Sequence, residues 1–249
     1  MSHPEQLGFF AVVSGVNSSV VRAARVLEIG AYDVNGSIRG YFSAASEFVG
    51  VDLTAGPGVD LVSYGHEVDQ PEASFDISLS GECFEHDPYW RQTFENMVRL
   101  TRPGGLVALT CASSGRPEHG TGRTRITDSP GTQSQGLNYY CNLDEADFAE
   151  AHPLEEMFSS FRFWYLPTSF DLYFAGVRRG NAPPGTPTAE LPVDDQVEAL
   201  EALTSVPHRL ARAPLHLARR IVSDDDRYQR VVLPYWLMLL RLQGRVRRR

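Results

Sequence analysis

At 249 residues, 42% hydrophobic and 22% charged, the chain has the length for one α/β domain with additions and the composition of a globular protein with a full core. Its formal net charge of -8 argues against nucleic acid as a partner, because such binding needs a basic surface to displace counterions. Every basic residue is arginine, and the absence of lysine removes Schiff-base chemistry and a Walker A phosphate loop from consideration.

Residues 4–23 read as a leading helix or lid. An apolar strand follows at 25–29 and runs into a turn carrying Gly30 and Gly36, where the backbone can approach a ligand that a side chain would block. A second apolar strand, 47–52, ends on Asp52, placed to accept hydrogen bonds from two ribose hydroxyls. The closely spaced glycines of a dinucleotide fingerprint are missing, so a nicotinamide dehydrogenase is disfavoured. Glu28 at the end of the first strand repels a pyrophosphate and suits a ligand with a cationic amino-acid end. S-adenosylmethionine meets both requirements.

Further strands are expected at 59–63, 75–80 and 105–111. Between the last two, Asp87-Pro88 reads as a helix N-cap with proline at the first helical position, and Trp90, Phe94, Met97, Val98 and Leu100 continue at helical spacing.

In order along the chain, the Glu28–Ser37 turn, Val49-Gly50-Val51-Asp52, the Ser74–His86 segment and Leu100-Thr101-Arg102-Pro103-Gly104-Gly105 together resemble the class I S-adenosylmethionine-dependent methyltransferases, in particular the type 11 small-molecule group. The resemblance covers roughly residues 24 to 178. It implies a Rossmann-like, seven-stranded, mostly parallel sheet with helices on both faces and an antiparallel last strand. It implies cofactor contacts from Glu28, Gly30, Tyr32, Asn35 and Gly36, from Asp52 with Leu53 on the adenine, from Gly65 and His66, and from Ser80 and Gly81. Tyr32 and Val34 depart from the family pattern, standing where it has glycines.

The stretch from Ala112 to Asn142 is rich in Gly, Ser, Thr and Pro, follows a strand carboxyl end and is expected to bind substrate. Asp144 caps a short helix, another lies near 153–159, and strands at 161–166 and 171–177 form the terminal antiparallel pair. Residues 1–179 then make the methyltransferase domain, 180–193 a proline-rich linker, and 194–249 a C-terminal extension of two or three helices. Its apolar run Val231–Leu240 is too short to cross a bilayer. Behind it stand Arg245, Arg247, Arg248 and Arg249, and core packing, a dimer helix and a membrane-surface anchor stay open for the segment.

Transfer to a sugar or aliphatic hydroxyl needs a general base. His119 in the long loop and His86 after the fourth strand are the candidates. Glu82, Arg116, Arg123, Tyr139 and Tyr140 are candidate substrate contacts, the arginines for a carboxylate or phosphate and the tyrosines for a flat or sugar face. No His, Asp and Glu set has metal-ligand spacing, so no metal is expected. Cys83, Cys111 and Cys141 are odd in number and form no C-x-x-C pair, and Met1–Gln6 lacks the marks of a signal peptide, so a reducing cytoplasm is expected. The leading expectation is O-methylation of a sugar or natural product. N-methylation of an amine and a non-catalytic binding protein that keeps the cofactor fold are the alternatives.

Overall fold

The computed structural model describes residues 3–246, with side chains through Leu242, so Arg247, Arg248, Arg249 and the Arg245 side chain lie outside the described residues. Seven strands form one sheet: β1 (Arg25–Ile29), β2 (Glu47–Asp52), β3 (Leu61–Val62), β4 (Phe75–Gly81), β5 (Thr101–Ala112), β6 (Phe158–Leu166) and β7 (Asp171–Arg178). Their spatial order is β3-β2-β1-β4-β5-β7-β6. The first five run parallel, and β7, last in the chain, is antiparallel to both β5 and β6.

The inner strands are apolar on both faces, and successive residues divide between two cores. Val26, Leu106, Ala108, Tyr173 and Ala175 belong to one core, where Phe9, Phe10 and Val13 of helix α1 (Pro4–Val16) and Val20 and Val21 of the short α2 (Ser18–Val21) pack. Leu27, Val107, Leu109, Leu172 and Phe174 belong to the other, with Trp90, Phe94 and Met97 of α3 (Trp90–Leu100) and Phe148 of α5 (Glu145–Ala151).

Local chemistry accounts for the departures from expectation. Helix α3 starts at Trp90 instead of Pro88; Asp87 holds its first turn from outside, accepting from the Tyr89 N–H at 2.8 Å and the Thr93 hydroxyl at 2.5 Å. The helix expected at 153–159 shrinks to α6 (Leu154–Met157), because Phe158 is fully buried and already opens β6. Strand β5 begins four residues early, at Thr101, with a register shift against β4 where Pro103-Gly104-Gly105 passes. The Asp144 cap forms as read: its carboxylate accepts from Ala146 and Asp147, and Asp147 accepts from the Asp144 N–H in return.

The long loop holds a 3-10 turn (Ile126–Asp128) and helix α4 (Pro130–Ser134). The 180–193 stretch carries no helix or strand but is stitched to the domain: Asn17 exchanges two hydrogen bonds with the Glu190 backbone, and the Ala189 N–H donates to the Gly104 carbonyl. Beyond it, α7 (Asp194–Glu198) and a 3-10 turn to Leu203 dock on α1 through Val197 and Leu200. Helices α8 (Val206–Ile221) and α9 (Asp225–Val246) form a hairpin that clasps the long loop around Phe170, Leu215, Tyr228 and Val232. Among the described residues no helix is long and apolar enough to cross a membrane.

Candidate active site

Strand order reverses between β1 and β4, and at the carboxyl ends of this pair an open cleft holds about 950 Å³ of empty space, mouth included. Its first wall is the β1 turn. Gly30 has φ +83°, and a Cβ there would stand 2.5 Å from the Cβ of Cys83, so the turn closes against the segment after β4 only with glycine. Glu28 is 5% exposed and its Oε2 has no hydrogen-bond partner. Burial pushes its carboxyl up to about 8, against the pull of Arg39. Tyr32, Asn35 and Gly36 line the same wall.

Asp52 ends β2 at the cleft, where Oδ2 accepts from the Tyr32 N–H at 3.1 Å and Oδ1 from the Leu53 N–H at 2.7 Å. A carboxylate has about four lone-pair sites, so acceptor capacity remains for a diol. Leu53, Tyr64 and Gly65 continue the lining. His66 turns away from it, its ring 4.5 Å from that of Tyr89. Ser80 is buried and donates to the Ile29 carbonyl, tying β4 to β1, whereas Gly81 lines the cleft.

These residues fit S-adenosylmethionine. The orphaned carboxylate oxygen of Glu28 suits an ammonium group, the glycine turn admits a close backbone, and Asp52 suits a ribose.

On the opposite wall, Glu82 and His86 face the cleft, with His119 and Tyr140 behind them. The rings of His86, His119 and Tyr140 pack together, with centroids 5.0 to 5.5 Å apart. Burial drives the His86 ring down to about 3, and burial and neighbouring His86 push His119 down as well. Both imidazoles are therefore neutral. Tyr140 donates to Asn142 Oδ1 at 2.8 Å, and Tyr139 is half-buried beside Cys141.

The arginines are already committed. Arg116 is buried, bonded to Asp171 at 2.9 Å and the Ser169 carbonyl at 2.6 Å, and stands 3.6 Å from Glu82. His3 closes this network, 2.8 Å from Asp171 and 3.0 Å from Glu5. Burial disfavours a charged His3, but Asp171 prevails and raises it to about 10. Against its own burial, Glu82 is held low by His3 and Arg116. Arg123 is exposed and pairs with Glu118.

Two further segments reach the cleft. Gln6 comes from α1, and Asp128, Ser129, Pro130, Gly131 and Thr132 come from the long loop. This loop segment lies on the Asp52 side, and a Cβ on Gly131 would stand 2.2 Å from Asp52 Oδ1. Asp171 carries no local sequence signal and only the β5–β7 pairing brings it in, whereas Glu85 belongs to the Ser74–His86 segment and meets His119 through the packing of the loop.

Residues 27–109 match the family model described as a methyltransferase domain. No curated protein matches the sequence. Among solved structures, the chain is similar to the Burkholderia thailandensis 1,6-didemethyltoxoflavin-N1-methyltransferase, with 20% identity over 70% of this chain and 79% of that one and a TM-score of 0.48. It is also similar to the YcgJ protein of Bacillus subtilis, with 15% identity over 69% and 99% of the two chains and a TM-score of 0.48.

Proposed function

Through the domain at residues 27–109 the chain belongs to the class I S-adenosylmethionine-dependent methyltransferases, and on that premise we propose that it methylates an oxygen of a small molecule, a sugar hydroxyl or an alcohol of a specialised metabolite. The observation that carries this reading is the division of one cleft into two walls. Glu28 and Asp52 stand on one, and Glu82 and His86 on the other. The cofactor, when bound, supplies an electrophilic methyl group on its sulfonium.

Glu28 orients the ammonium end and Asp52 the ribose, which leaves the far wall to seat the acceptor. There His86 offers a neutral ring with a free lone pair to a hydroxyl, and His119 holds that ring edge-on. Arg116, engaged by Asp171, the Ser169 carbonyl and Glu82, leaves no free guanidinium for an anionic substrate. We further place the protein in the cytoplasm, in keeping with its three free cysteines, and assign self-association to the C-terminal hairpin.

An amine acceptor is the second reading. The observation favouring it is the weakness of His86 as a base, since a ring driven to about 3 takes a proton reluctantly and an amine needs no such help.

Calorimetric titration of S-adenosylmethionine tests the cofactor wall. Asp52→Ala should weaken binding by about 10- to 100-fold, the worth of one or two hydrogen bonds to a charged group. An unchanged affinity would remove Asp52 from the site. An alcohol acceptor turned over at full rate by both His86→Ala and His119→Ala would sink the oxygen reading with its histidine base.

A further inference from the structure

Behind the acceptor wall, Glu85, His86 and His119 bring three side chains of ligating type together, all at most 5% exposed. The Glu85 Oε1 lies 4.0 Å from His86 Nε2 and 3.7 Å from His119 Nε2. Both oxygens of Glu85, both ring nitrogens of His86 and Nε2 of His119 are buried without a hydrogen-bond partner. One ligating atom from each of the three lies within 4.8 Å of the others, and buried polar atoms without partners carry a heavy desolvation cost unless something polar fills the space between them.

The tautomer of His119 is set for ligation. Its Nδ1 lies 3.2 Å from the Pro117 carbonyl, which can only accept, so the proton sits on Nδ1 and the lone pair of Nε2 points at Glu85. A backbone carbonyl behind a histidine is the support that ligating imidazoles ordinarily carry. The neighbouring group of His3, Glu82 and Asp171 offers a contrast. There the Asp171 oxygens accept from Arg116 and Glu82 Oε1 from Thr110, and the Arg116 guanidinium stands 3.6 Å from Glu82 Oε2, so an ion would meet a cation already in place.

We propose that Glu85, His86 and His119 bind a divalent first-row transition metal ion. Two imidazoles and one carboxylate form a borderline nitrogen and oxygen set, which suits Zn²⁺, Co²⁺, Fe²⁺ or Mn²⁺ and disfavours Ca²⁺. Bonds of about 2.1 Å put adjacent ligand atoms roughly 3.0 to 3.4 Å apart, so from separations within 4.8 Å binding would draw the three side chains together by about an ångström. Of the three side chains His86 lines the cleft, so it would connect a bound ion to the acceptor wall. The catalytic consequence rests on the oxygen-acceptor reading. A hydroxyl on the ion loses its proton to solvent more readily than one beside a bare imidazole, and His86 then acts as a ligand in place of a base.

The site escapes a sequence search because Glu85 and His86 are adjacent while His119 follows on a distant loop.

The full-length protein, stripped with chelator and titrated with Co²⁺, should develop visible d–d absorption at one equivalent per chain, and Zn²⁺ should abolish it. His119→Ala should weaken Co²⁺ binding by at least about 10- to 100-fold, the loss found even for outer-shell partners. Glu85→Gln, nearly isosteric, should do the same if His119→Ala fails to fold. Substoichiometric Co²⁺, or binding unchanged in a folded variant, overturns the metal site and leaves the bare histidine in place. Stoichiometric Co²⁺ with no turnover of any alcohol instead overturns the oxygen reading and keeps the site. S-adenosylmethionine titration of the same samples reports separately on the cofactor wall.

Discussion

Glu28 is the residue whose charge state the cleft controls most directly. Its carboxyl is held at about 8 by burial, above its ordinary 4.5, so the folded protein keeps a proton there that the unfolded chain releases. Stability from this group therefore falls as pH rises from 4.5 towards 8. A bound ammonium reverses the preference and favours the carboxylate. Affinity for S-adenosylmethionine should accordingly weaken as pH drops below 8, by up to about tenfold per unit. Glu28→Gln should flatten that dependence, as titration from about pH 6 to 9 would reveal. The neighbourhoods of Glu28 and Asp52 were legible in the sequence, because strand ends and turn residues are local features. Arg116 was not, because its neutralising partner Asp171 is 55 positions away and arrives only with β7.

Among the elements, the inner strands announced themselves through unbroken apolar runs, and α3 through its helical spacing, since burial on both faces of a sheet leaves that imprint. Boundaries were harder to read. Phe158 looks like one more helical apolar residue until Phe94 and Phe174 claim it for the sheet. The long loop reads as irregular, yet within it Pro130–Ser134 form a short helix against Asp52. Gly131 is the contact point, and no side chain fits between that helix and the carboxylate. Gly131→Val should lower S-adenosylmethionine affinity at least about tenfold while thermal unfolding moves little, because the helix can lift away from the surface at small cost. Retained affinity would show that the helix does not hold its place over Asp52.

The whole molecule is unevenly charged. Before Val206 it carries 12 arginines against 28 acidic residues, and from Val206 onward 11 arginines against 3. On α8 the exposed residues Val206, Leu210, Leu217 and Ile221 form a stripe at helical spacing. Such a stripe fits the self-association proposed for the hairpin. Sedimentation velocity should then give a dimer that Leu210→Glu with Leu217→Glu converts to monomer; a wild-type monomer at all concentrations would dismiss it. The hairpin also reaches inward. Tyr228 and Gln229 bond the backbone of Gly115, Arg116 and Glu118, so the extension steadies the start of the loop whose later part covers the cleft. With Gln6 on one side and the 128–132 segment on the other, a cofactor in the cleft would enter and leave between two pieces of chain that are not part of the sheet. Where such flanking segments must part to release product, turnover is set by residence time as much as by chemistry.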